Sequence, residues 1–294
     1  MNEYLAIAIL TGLGGMLAWG SADFFAKKSL EKVNEFALTF WVQIVGIVPV
    51  LLLVLARGGL PEVGWATLGY LVLFGLVDGI SDVLLYRGFS KGQLSILSPI
   101  FASYAGLVIV FSVLFFGESL SAPVFIGLVT TFLGIMLINF DFRDLRKSLR
   151  RPAGATGGVL EIIGATTIYA LWLVLFDKLV SQGDWAFYLL AVRSVEALGL
   201  LAYARLRSQP LRVARSHKVW PYVALVGLLD IAAYSFLTLG FSRTGYTSVV
   251  AVLSGAFSLP TLVLAHFYLK EKITKTQLAA VVFIIGGVAI VAAF

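Results

Sequence analysis

The chain has 294 residues, 60% of them hydrophobic and 13% charged, with a net charge of +6 and no cysteine. A soluble domain has about 25% charged residues, and at a mean hydropathy of +0.96 one soluble core cannot hide the apolar surface, so lipid must cover it. Disulfides and thiolate metal sites are excluded, and His217 and His266 alone make no metal cluster.

Ten apolar stretches approach the ~20 residues that cross a bilayer as helix. In chain order they are 4–26, 35–56, 64–87, 93–116, 122–140, 157–179, 185–206, 219–242, 246–269 and 275–294. The first is read as a retained helix rather than a signal peptide. Its leading residues carry no Lys or Arg, and the charges Lys27, Lys28 and Lys32 follow the apolar run. Connections are short and rich in breakers, such as Gly58-Gly59-Leu60-Pro61 and Ser181-Gln182-Gly183-Asp184. The longest polar stretch, residues 141–156, is read as a cytoplasmic linker. It divides the chain into five-helix halves at 1–140 and 157–294.

Positive charge sets the expected topology. The connections after the first, third, fifth, seventh and ninth stretches hold all but four of the 22 Lys and Arg. The exceptions are Arg57, Lys178 and Arg243 in the other connections and Arg193 inside a helix. The positive-inside rule then places those five connections in the cytoplasm of a cell-membrane protein, with both termini outside. Orientation accounts for the basic residues, and no nucleic-acid partner is needed.

Two segments repeat. Residues 75–90, GLVDGISDVLLYRGFS, match 227–242, GLLDIAAYSFLTLGFS, at 7 of 16 positions, including Asp78 with Asp230. With one inserted residue Glu118 matches Glu271 and Gly134 matches Gly287, and more weakly Trp19 matches Tyr169. Five helices per half is an odd number, so the second half enters the membrane from the opposite side. The expected fold is an all-α membrane protein of ten transmembrane helices in two inverted five-helix repeats.

The segments Leu17-Ala18-Trp19-Gly20-Ser21-Ala22-Asp23-Phe24 and Phe116-Gly117-Glu118 resemble the drug/metabolite transporter superfamily, EamA type. That resemblance implies a ten-helix carrier of small metabolites, often an exporter. It also implies a cavity among helices 1, 3, 4 and 6, 8, 9, with helices 5 and 10 peripheral.

Ionisable groups deep in a bilayer are expensive and point to function. Asp78 and Asp230 fall near mid-span, and one turn on, on the same faces, come Asp82 and Tyr234. Each Asp has the plainer alternative of bonding a neighbour for helix packing. Arg193 and Glu196, three apart, read either as an internal ion pair or as an Arg that grips a substrate carboxylate. Gln43 is the approximate counterpart of Arg193 in the second helix. Asp23 and Glu161, near helix ends, are not assigned to the site. Trp19, Tyr104, Tyr169 and Trp172 lie at central depth, where rings serve packing, an apolar wall, or an ammonium group. The candidate substrate-binding set is Trp19, Asp78, Asp82, Tyr104, Tyr169, Trp172, Arg193, Asp230 and Tyr234, with Pro99 and Pro260 as gating candidates. Gly12, Gly14, Gly15, Gly286 and Gly287 are expected to allow close helix packing.

A secondary carrier working by alternating access is the function these features point to. Its midplane cavity would be rich in carboxylates and so suit substrates with an amino or ammonium group, such as amino acids. A proton-coupled organic-cation antiporter is the alternative, with protons as candidate coupling ions. No catalytic set, HExxH or Walker A motif occurs, so an enzyme is disfavoured and no cofactor or metal is expected. A channel is a third class. Monomer and homodimer both fit a fused ten-helix chain.

Overall fold

The computed structural model describes residues 3–30, 32–91, 97, 100–139, 158–213, 219–270 and 273–294. Among these residues the regular structure is all helical. In lipid every backbone N–H and C=O must be satisfied internally, and a helix does this within one segment.

The helices are α1 (Glu3–Leu30), α2 (Glu35–Ala56), α3 (Trp65–Lys91), α4 (Tyr104–Phe116) and α5 (Ala122–Asn139). Then come α6 (Val159–Val180), α7 (Trp185–Leu206), α8 (Trp220–Arg243), α9 (Thr247–Gly255), α10 (Ser258–Leu269) and α11 (Lys275–Ala293). Eight spans are long and apolar enough to cross a membrane, with α9 and α10 together forming the one at Thr247–Tyr268. Two shorter apolar helices, Ile100–Phe116 and Ala122–Ile138, complete the ten stretches read from the sequence.

Local chemistry sets the ends. Asn34 accepts the N–H of Ala37 at 2.7 Å to cap α2, and Asp184 accepts that of Phe187 at 2.9 Å to cap α7. Thr274 and Gln277 form a reciprocal capping box on α11. Gly117, at φ 67°, ends α4 in the left-handed conformation that a residue without Cβ adopts freely.

The apolar stretch 246–269, which holds Pro260, forms two helical pieces, α9 and α10. The ninth span breaks at Ala256-Phe257. Pro260 lacks an N–H, so the carbonyl of Ala256 cannot take the usual bond from residue 260. It accepts Leu259 N at 2.9 Å instead, a tighter turn, and α10 restarts there. Pro49, by contrast, sits inside a continuous α2. The expectation for Gly286 is corrected, since a Cβ there would meet nothing within 4 Å. Gly287 does make a close approach, because its Cβ would lie 2.3 Å from Thr131 Oγ1 and 2.6 Å from the carbonyl of Gly127. The α5–α11 seam is built on that contact.

Packing follows a pattern. α1 packs on α8 and on the α9–α10 span, while α6 packs on α3 and α4. α2 packs on α8, as α7 packs on α3. α2 also meets α7, α4 meets α9, and α5 meets α11. Counting spans, a shift of five exchanges the first pairings two by two and returns the last three, α2 with α7, α4 with α9 and α5 with α11, onto themselves. The charged cluster lies where α2, α3, α7 and α8 come together. All nine residues of α9 are buried, packed on α1, α4 and α8 among others.

Candidate functional site

Arg193 is at the centre, in the first half of α7 and only 2% exposed. Its Nη1 donates to Glu196, one turn on in the same helix, and lies 3.5 Å from Asp78 Oδ2 of α3. Its Nη2 lies 3.5 Å from Asp230 Oδ2 of α8. The two aspartates of the matching segments thus flank one guanidinium at equal distances. The face of the guanidinium rests on the Tyr234 ring, 3.4 Å from its centroid. Its Nε is buried with no hydrogen-bond partner. The internal ion pair with Glu196 is therefore present, and two further acids share the same cation.

Gln43 of α2 donates Nε2 to Glu196 Oε1 at 2.8 Å, so four helices hold the cluster. Asp82 is half-buried and within hydrogen-bonding reach of Glu196. Glu196 and Asp78 are buried, whereas the Asp230 side chain is 20% exposed.

Aromatic rings form a wall beside the acids. Trp19 of α1 donates Nε1 to Asp230 Oδ1 at 3.0 Å. Its ring stands edge-on to Tyr234, centroids 5.0 Å apart, and 6.4 Å from Phe257 at the α9–α10 break. Tyr104 and Tyr169 meet edge-on at 5.0 Å, and the Tyr169 hydroxyl reaches Tyr234. Trp172 is set further into the core. It stacks on Phe176 at 4.6 Å and donates Nε1 to the carbonyl of Phe74 at 2.9 Å. Pro260 abuts Gly20 of α1, where an added Cβ would lie 2.8 Å from the proline Cβ and 2.4 Å from the carbonyl of Phe257. Pro99 lies outside the described residues, as does Glu271.

Four residues at the site fall outside the set that sequence reasoning selects: Glu196, read there only as the ion-pair partner of Arg193, and Gln43, Asp23 and Phe257. Gln43 stands in the sequence as a counterpart of Arg193, but nothing local announces its bond to Glu196. Asp23 is exposed on α1, one turn beyond Trp19 on the same face and within electrostatic reach of Asp230 and Tyr104. Its spacing to Trp19 is the available signal. Phe257 gives no signal, because its position follows from a break that only its neighbour Pro260 hints at.

A second acidic contact lies at another helix start. Both Glu118 oxygens accept the N–H of Ser248, at 3.2 and 3.1 Å, and Oε2 accepts its hydroxyl at 2.7 Å. Nearby, Asp177 Oδ2 accepts the Thr247 hydroxyl at 2.7 Å. The α4–α5 connection and the end of α6 thereby cap α9 from outside its own chain segment. Burial pushes the Glu118 carboxyl above its ordinary value, against the pull of the Ser248 donors. Elsewhere an apolar crevice of about 350 Å³ lies between α2 and α8, lined by Pro49, Leu53, Ile231 and Phe236 among others. It contains none of the charged cluster. Among the described residues no group of three or more His, Cys, Asp and Glu is arranged to hold a metal.

The pattern of the EamA-like transporter family matches residues 6–140 and again 156–293. The chain belongs to the EamA-like transporter family. It is accordingly a multi-pass membrane protein of a family that transports small molecules, and neither family nor relatives suggest catalysis. An uncharacterized protein of Methanocaldococcus jannaschii is 32% identical over 134 residues, 46% of this EamA-family chain and 97% of that relative. An uncharacterized transporter of Synechocystis sp. is 31% identical over 137 residues, 42% of this chain and 40% of that relative. A solved crystal structure superimposes with a TM-score of 0.80 at 18% identity, covering 97% of this chain and 96% of its own. That likeness shows the fold.

Proposed function

We propose that this EamA-family chain is a secondary carrier of small metabolites bearing an amino or ammonium group, working by alternating access around the Arg193 cluster. The carrying observation is the convergence of Asp78 and Asp230 on one buried guanidinium near the middle of their helices. Asp78, Asp82, Glu196 and Asp230 outnumber the one cation, so full ionisation would leave excess negative charge in a low-dielectric interior. Protons or a bound cation balance it. Asp230 is the acid of this group that combines exposure with an aromatic wall, the pairing that suits an ammonium group.

An inverted repeat is part of this reading. The pairings that interconvert under a shift of five spans, and the family pattern that matches once per half, support two related halves, and the odd number of helices per half makes the relation an inverted one. The Methanocaldococcus relative, matched along nearly its whole length by under half of this chain, supports the half as a unit. The halves run over 1–140 and 157–294, joined by residues 141–156. In such carriers one half rocks against the other around a fixed central site. The break at Ala256-Phe257 against Gly20 is the joint at which the wall of the site moves, with Pro260 preserving it. Pro99 remains a gating proposal on sequence grounds.

Purified chain in proteoliposomes tests the reading. Flux of an amine-bearing substrate should respond to a pH gradient, and Asp78→Asn with Asp230→Asn should abolish that response. Flux that ignores both the gradient and the substitutions rules out proton coupling through these aspartates.

A further inference from the structure

We propose that the site selects cationic amines that lack a free carboxylate, and rejects the corresponding amino acids. This rests on the reading above that the site recognises an amino group, and it narrows the substrate class within it.

A zwitterionic amino acid needs two receptors, an acid for its ammonium and a cation or open N–H cradle for its carboxylate. Among the described residues Arg193 is the one Lys or Arg placed in mid-helix, away from every connection. Its two terminal nitrogens face Glu196, Asp78 and Asp230, and its flat face is covered by Tyr234. Its remaining N–H groups, on Nε and on Nη2, belong to a side chain that is only 3% exposed. Bidentate capture of a carboxylate requires an open edge of the guanidinium, and no such edge reaches the exposed side of Asp230. A carboxylate brought here also approaches more acids than bases, and like charges in this setting repel strongly.

The second possible receptor is the start of α10, which lies beside Trp19 at Phe257. Helix starts bind anions through free N–H groups. Here the N–H of Leu259 is committed to the carbonyl of Ala256 and that of Thr261 to the carbonyl of Phe257. Residue 260 is a proline and has none. The break that places Phe257 at the site therefore also leaves its helix start poor in donors.

The receptors that remain suit a cation with an apolar body. Asp230 is held by the Trp19 indole and is partly exposed, and Asp23 is exposed one turn along the same helix face as Trp19. The rings of Trp19, Tyr234 and Phe257 supply the apolar and π surfaces.

Matched ligand pairs on the purified chain test the selection. Phenethylamine is compared with phenylalanine, and tryptamine with tryptophan, by calorimetry or thermal shift, with phenylalanine amide as the carboxylate-blocked control. Each amine and the amide should bind at least tenfold more tightly than the acid, and Asp230→Asn should remove the binding. Equal or tighter binding of the amino acids overturns the selection while leaving amino recognition standing. If neither member of any pair binds, amino recognition itself falls, and the selection with it. A gain-of-function arm uses Asp78→Asn with Glu196→Gln, which strips two acids from Arg193. A folded variant should narrow the amine preference or reverse it. Unchanged discrimination in that folded variant overturns the role given to Arg193. If the variant does not fold, the wild-type pairs alone uphold or overturn the selection.

Discussion

Arg193 shows how one side chain is shared by several helices. A guanidinium buried in a bilayer-spanning bundle is tolerable because Glu196, Asp78 and Asp230 surround it and Gln43 fixes Glu196 from a fourth element. Removing one partner from such a set leaves uncompensated buried charge, a loss of about 3–5 kcal/mol. Arg193→Ala should therefore lower the melting temperature of the detergent-solubilised chain sharply. Arg193→Met combined with Asp78→Asn, Glu196→Gln and Asp230→Asn should recover most of that loss, since the charges leave together. A recovery that fails to appear would show that Arg193 acts through its shape and stacking on Tyr234 rather than through charge. The pair Arg193–Glu196 is legible from its i,i+3 spacing. That Asp78 and Asp230 also reach the same cation is not, because they are 152 residues apart in sequence and no local period links them.

The ninth span is two pieces, and each piece has its own anchor. α9 is tied at its start by Glu118 and Asp177, whereas α10 is tied to α1 through Thr261, whose hydroxyl donates to the carbonyl of Gly20 at 2.9 Å. Glu118→Ala should cost about 1 kcal/mol, the usual loss on removing a helix cap, visible as a lower melting temperature. The pH dependence has a definite sign. A carboxyl raised on folding contributes stability that is complete below its unfolded value, 4.5 for this group, and is lost as pH rises through the raised value. Wild type should thus lose stability relative to Glu118→Gln as pH rises just above 4.5, a difference read from paired melting curves. A difference that runs the other way would mean that the Ser248 donors outweigh burial. The match of Glu118 with Glu271 singles it out in the sequence, but its partner Ser248 is 130 residues away and comes to it only when the helices pack.

At the scale of the molecule, the helices interdigitate across the halves rather than closing into two bundles. α1 packs on α8 and α6 on α3, so neither half holds its own central site. Topology is open to direct test because the chain has no cysteine. Single substitutions Pro61→Cys and Ser148→Cys place one thiol in an even and one in an odd connection. A membrane-impermeant thiol reagent applied to intact cells should label the first and spare the second. Labelling of Ser148→Cys alone would invert the orientation that the positive charges imply.

Composition and hydropathy by themselves determined that the chain lies in lipid and where its ten apolar stretches run. Both follow from local quantities, namely apolar length and the placement of breakers. Depth within the spans and the internal match also marked Asp78, Asp230 and Trp19 before any packing was known. The tertiary structure alone decided that the two aspartates meet on Arg193, that Trp19 bonds Asp230, that Trp172 turns into the core, and that the ninth span breaks at Ala256-Phe257. Those outcomes depend on which helix faces which and at what depth. In a membrane, hydropathy tells a helix to enter but gives no preference between a neighbouring helix and a lipid tail. Close contacts such as Gly287 on Thr131 and buried polar bonds such as Gln43 to Glu196 make that choice.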